Sequence, residues 1–192
     1  MNDEILLGFS TTGVWLSRLI RWATRAKYSH CWVRHGSEVW GGLWVTQADW
    51  PVVRTWPWRA ASRSWTVKKL YRPRFDIHPA LARVRRDFED PYDIAGLFGM
   101  VLVTIMLKWF KRRIKNPLAS PSGVFCSEFV AKILVEAKLP GTEHWDPQGM
   151  TPKQVEAYCA KHDELFEVLA EHNHRPNQTP IEPPDQVLAA GG

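Results

Sequence analysis

An α+β fold, an antiparallel sheet packed by helices, is predicted for this chain of 192 residues. Three observations predict it. Short runs rich in aromatic and β-branched residues follow one another through the first third of the chain, bounded by turn residues, as antiparallel strands do. Longer apolar runs with helical spacing then take over. Near the middle of the second half a cysteine, Cys126, opens one of those helices directly after the breakers Pro121 and Gly123. A helix start carries a partial positive charge and unpaired N–H groups, which favour a thiolate and can hold a developing oxyanion.

The elements are read in order. Residues 5–10 form a short strand, and residues 13–26 a helix with Val14, Leu16, Leu19, Ile20 and Ala23 as its apolar positions. Strands are expected over 28–34, 38–46, 52–56 and 64–71, with Gly41-Gly42 marking a bend or bulge. Residues 78–89 read as a helix, because Pro79 suits a first turn and Pro91 stops the run. A long helix runs from Asp93 to near Lys115, ahead of Asn116-Pro117. The cysteine helix spans 126–138, and a Gly/Pro-rich loop covers 140–152. A short helix over 152–159 and an edge strand over 164–169 close the domain. Residues 1–170 are therefore taken as one domain, and the proline-rich, polar residues 171–192 as a disordered tail.

Composition bounds the function. Hydrophobic residues at 45% and charged residues at 23% are ordinary for a globular domain. Three cysteines make a disulfide framework a poor reading, and no Cys/His cluster has metal spacing, so reduced thiols, no metal and no cofactor are expected. The acidic N-terminus, Asn2-Asp3-Glu4, lacks the basic region and long apolar core of a signal peptide, which points to the cytoplasm, with peripheral membrane or envelope association reached by another route. Net charge is +5, concentrated in residues 54–86 and 108–115. No nucleic-acid-binding signature accompanies it, so an anionic membrane or cell-wall surface is the better partner than a specific nucleic acid. The apolar run 94–107 is too short for the roughly twenty residues of a membrane span and reads as a buried core helix. Its flank, Lys108-Trp109-Phe110-Lys111, keeps a membrane-touching helix open as the alternative. Among eleven tryptophans, Trp32, Trp40 and Trp44 read as core, while Trp50, Trp56 and Trp58 stand among prolines as candidates to line a groove.

A nucleophilic cysteine needs a base, and histidine has the right pKa. His30 lies in a strand-like segment, Tyr28-Ser29-His30-Cys31-Trp32-Val33. His144, His162, His172 and His174 read as solvated. Cys31 should point away from His30, since neighbours on a strand face opposite sides. Cys159 reads as a helix-face residue.

Ser29-His30, then Tyr92-Asp93 with Gly96-Leu97-Phe98-Gly99, then Phe125-Cys126-Ser127-Glu128-Phe129-Val130, resemble the circularly permuted NlpC-type papain-like family. That family includes YiiX-like proteins and lecithin:retinol acyltransferase-like enzymes. Met150-Thr151-Pro152-Lys153-Gln154-Val155 is similar to the segment that follows its cysteine helix. The resemblance covers residues 5–169 and implies a permuted papain-like fold, in which the histidine precedes the cysteine. It implies Cys126 as nucleophile and His30 as general base and acid. The orienting group falls on Gln47, in Val45-Thr46-Gln47-Ala48, with Glu38 and Asp49 as carboxylate alternatives. A glutamine holds the ring without adding charge, and some papain-like enzymes use a neutral amide there. Tyr92 is the candidate oxyanion donor, and Glu128 reads as structural, favouring the helix dipole. Three readings follow: a cysteine hydrolase acting on a peptide, another amide or an acyl lipid; a lipid acyltransferase at a membrane surface; or a weakly active or inactive membrane-associated binding module. Oligomeric state is left open.

Overall fold

The computed structural model describes residues 5–36, 42–49, 52–85, 94–111, 117–118 and 124–171. The expected tail lies outside the described residues except for Glu171, which ends the last strand and is not disordered. Also outside them lie Glu38, Trp40, Trp50, Tyr92, Asp93, Pro121 and Gly123, together with the side chain of Asp49.

Among the described residues, six strands and six α-helices make an α+β fold. They run β1 (Leu6–Thr11), α1 (Trp15–Thr24), β2 (His30–Gly36), β3 (Leu43–Asp49), β4 (Val52–Pro57), α2 (Trp58–Ser64), β5 (Thr66–Pro73), α3 (His78–Val84), α4 (Ile94–Phe110), α5 (Cys126–Glu136), α6 (Pro152–Lys161) and β6 (Phe166–Glu171). The sheet order is β4-β3-β2-β1-β5-β6, and every neighbouring pair is antiparallel. β1 lies inside the sheet and is buried along its whole length, as its apolar run Leu6-Leu7-Gly8-Phe9 requires. β6 takes the edge, as its position at the end of the domain suggested.

Side-chain alternation sends the two faces to different cores. Leu7, Phe9, Cys31, Val33, Ala48 and Tyr71 pack under α3, α5 and α6. Leu6, Trp32, Val45 and Leu70 pack under Trp58, Ala61 and Trp65, the residues of α2 and its exit. Each fully buried Leu, Phe or Val contributes about 1.5–3 kcal/mol. A third cluster joins Ile20 and Ala23 of α1 to Leu97, Met100 and Val101 of α4, with Phe125 wedged between them.

Several expectations are corrected. The helix α2 was not foreseen, because seven residues with a Ser/Arg-rich sequence show no apolar period. Trp58 lines no groove: it is buried, its ring 5.1 Å from that of Trp32. Trp56 packs partly against the same core with the Arg54 guanidinium 3.9 Å from its ring centroid. The long helix ends at Phe110, where Lys111 turns left-handed at φ 52°, and not near Lys115. Nor is that helix buried all round, since Leu102 and Leu107 stay exposed. His162 is only partly solvated: its ring lies 4.4 Å from that of Tyr158, and its Nδ1 is 2.7 Å from Glu164. The loop over 140–152 contains a single 3₁₀ turn, Pro147–Gly149, started by Asp146 accepting from the Gln148 N–H. Thr151 then caps α6 in a reciprocal capping box with Gln154.

Candidate active site

Cys126 is the first residue of α5, and Phe125 holds the extended cap position with no side-chain acceptor to occupy the helix's first N–H groups. Phe125 is itself fixed by the α1–α4 cluster, so the helix start is anchored from both sides. The Cys126 Sγ points at the start of β2, 3.9 Å from the Ser29 carbonyl oxygen. Its exposure is 2%, so the thiol is reached only through the cavity described below.

His30 is the first residue of β2 and lies on the α2 side of the sheet, its ring centroid 5.4 Å from that of Trp65. His30 Nε2 lies 2.7 Å from Gln47 Oε1. An amide oxygen only accepts, so Nε2 carries the proton and donates it. The other ring nitrogen, Nδ1, is then the one without a proton in the neutral ring, ready to take one from a thiol. Gln47 is buried, and the register Val33↔Thr46 sets it beside Trp32 on the face that His30 also uses. Strand alternation on β2 and β3 thus brings the two side chains together.

The Cys126 thiol is held well below its usual range. The largest cause is a hydrogen bond from the Cys31 thiol. Burial opposes it, and the charge and hydrogen bond of His30 add to it. Cys31 shifts the opposite way: burial pushes its thiol up, so it stays a neutral S–H donor. The Cys31 Sγ is 3.4 Å from the Cys126 carbonyl oxygen. Cys31 does face away from His30 as alternation demands, yet that face is the one on which α5 sits. Sequence reasoning missed this contact. Alternation names the face and says nothing of what covers it.

Glu128 lies in the first turn of α5, buried, with Lys132 Nζ 3.4 Å from its Oε1. Ser127 donates to the Met150 carbonyl at 2.8 Å, tying the cysteine helix to the approach of α6. Ser17 and Ser29 hydroxyls meet at 2.5 Å and join α1 to the strand entry beside His30.

A cavity of about 440 Å³ opens onto this pair. Its walls come from Val14, Leu16 and Ile20 on the α1 side and Trp65 on the sheet side, with Cys126 and His30 at its base and serine and threonine side chains between. Among the described residues that line it there is no Lys, Arg, Asp or Glu. An uncharged group fits such a space, and its carbonyl carbon can meet the thiolate at the helix start. Trp65, and not Trp56 or Trp58, is the aromatic wall among the described residues. Among the described residues no group of His, Cys, Asp and Glu has the arrangement to hold a metal ion.

No protein-family model matches the sequence, and no curated protein matches it either.

Proposed function

We propose that the chain is a cysteine hydrolase of a permuted papain-like type that cleaves an amide or ester carbonyl through a thioester. The observation that carries this reading is His30, held by Gln47 through Nε2 and acting on the Cys126 thiol. His30 takes the thiol proton, the thiolate attacks the carbonyl carbon, and the N–H groups at the start of α5 hold the oxyanion. The imidazolium then protonates the leaving amine or alcohol. Water, deprotonated by His30, releases the acid and restores the thiol. The substrate is a peptide, another amide or an acyl lipid, and the uncharged cavity favours an apolar acyl group.

Intact-mass measurement of the protein mixed with activated acyl esters and amides tests this. The expected result is an adduct equal to the acyl group on Cys126 that decays with time and is absent in Cys126→Ala. A protein that never acquires the adduct, and whose Cys126 alkylates with the pH profile of an ordinary thiol, supports a binding module instead. Acyl transfer is the second reading, favoured by the apolar walls, which exclude much water from the thioester. Release that speeds up with added amine or alcohol, and is slow without it, distinguishes transfer from hydrolysis.

A further inference from the structure

The cavity mouth opens beside an unusual surface. Trp15 and Trp22 of α1 are 66% and 60% exposed, seven residues apart and so on one stripe of the helix. Arg18 and Arg25 are exposed on the same stripe, three residues after each tryptophan. Val14, which lines the cavity, is also exposed at the head of α1. On α4, packed beside α1, the exposed large side chains are Phe98, Leu102 and Leu107, and the Trp15 and Phe98 rings lie 6.3 Å apart. Soluble chains rarely leave so much apolar side chain uncovered in one place.

Charge selects the occupant. Residues 5–37, which contain α1, hold no acidic residue, and their exposed cations are Arg18, Arg25 and Lys27. Residues 94–127, which contain α4, again hold no acidic residue, and Lys111 at the end of α4 is exposed. A second copy would bring the same cations against this face. A nucleic acid would match the charge and leave the tryptophans and leucines unburied. An anionic bilayer takes both: indoles settle at the interface, cations meet the headgroups, and leucines enter the acyl boundary. The described helices do not span. The 17 residues of α4 reach about 26 Å, short of a hydrocarbon core of about 30 Å. No described helix is long and apolar enough to cross a membrane.

We propose that the α1–α4 face docks on an anionic phospholipid bilayer, with the cavity mouth at Val14 held at the headgroup level. This docking stands apart from the chemistry at Cys126, so the test uses the Cys126→Ala protein and reads binding alone. Co-sedimentation is measured with vesicles of phosphatidylcholine, with and without phosphatidylglycerol, at low and raised salt. Partition into the anionic vesicles, weakened by salt, is expected. Trp15→Ser with Trp22→Ser weakens it by about tenfold or more. Arg18→Gln with Arg25→Gln weakens it about thirtyfold. Lys138→Gln with Lys161→Gln, which removes the same charge from the far end of α5 and from α6, leaves it nearly unchanged. Circular dichroism checks that each variant is folded. Three results overturn the proposal: no partition into anionic vesicles, an equal loss in the lysine control, or a dimer in sedimentation velocity that the tryptophan substitutions dissolve.

Discussion

A second thiol beside the nucleophile changes how the nucleophile titrates. Cys31 stays protonated and donates, and the Cys126 thiolate gains from it and from His30. Because the folded value of Cys126 lies below that of a free thiol, about 8.5, the thiolate persists as pH falls through that region and is lost only below the lowered value. Cys31→Ala is therefore expected to move the alkylation profile of Cys126 to higher pH, and Cys31→Ser, which keeps a donor, to move it less. Iodoacetamide labelling read by peptide mass spectrometry measures this, and an unshifted profile in Cys31→Ala would assign the lowering to His30 and the helix alone. Gln47→Leu removes the acceptor that fixes the His30 tautomer. If the proposed hydrolysis is right, kcat/KM falls by about 10²-fold or more, while Gln47→Asn recovers part of it only if the shorter amide still reaches the ring. Cys126 and His30 were singled out by their chemistry and by the helix and strand periods around them, and Gln47 by the resemblance alone; the structure sets Gln47 against the His30 ring. Cys31 was not singled out, because its importance comes from the helix lying on its face, which no local pattern encodes.

At the scale of elements, the α2 side of the sheet is built around one close approach. Gly8 of β1 stands opposite Trp32 of β2. The Trp32 indole lies across Gly8, so that a Cβ there would sit 2.1 Å from two of its ring atoms. Trp32 has little freedom to move. Its ring is stacked on Trp65 at 5.5 Å and packed against Trp58, and its Nε1 donates to Ser10 Oγ at 3.1 Å. Gly8→Ala is expected to cost about 1–3 kcal/mol, seen as a lower urea midpoint with little change in slope. Trp65 also touches His30, so the alkylation rate of Cys126 should change in the same variant. Wild-type stability would mean that Trp32 finds a second rotamer without cost. Strands and long helices were readable from period and breakers, with ends displaced by a few residues: β2 runs from His30 to Gly36, where 28–34 was expected. The helix α2 was not readable, since its apolar partners Trp32 and Leu70 belong to other elements and its own short sequence holds no period.

The whole molecule is tied together by one buried carboxylate. Glu156 of α6 accepts from the hydroxyls of Tyr28, which precedes β2, and Tyr71 of β5, the latter at 2.6 Å, and its Oε1 lies 2.7 Å from Lys69 Nζ. Segments 128 and 85 residues apart in sequence meet on this one side chain. Burial works against its ionisation, but the donors from Lys69, Tyr28 and Tyr71 outweigh it and hold the carboxyl below its usual range. Both tyrosines respond in kind: burial and the facing carboxylate push their hydroxyls up, so they remain donors. A carboxyl whose folded value is lowered stabilises the fold above its unfolded value, about 4.3, and that contribution disappears as pH falls through the folded value. Glu156→Ala should therefore lose about 2–4 kcal/mol at neutral pH, because two buried hydroxyls and a partly buried ammonium lose their acceptor together. Its loss relative to wild type should shrink as pH falls below about 4.3, where the unfolded chain's carboxyl takes up its proton, and go on shrinking through the lowered folded value. Glu156→Gln separates the two contributions: it keeps an acceptor for one hydroxyl but not the charge facing Lys69, so it should fall between wild type and Glu156→Ala at neutral pH. Urea denaturation across acid and neutral pH measures all three. A gap between wild type and Glu156→Ala that stays constant down to the acid transition would show that the cluster stabilises by packing alone, and that α6 is held to the sheet by Val155, Tyr158 and Cys159 without help from the charge.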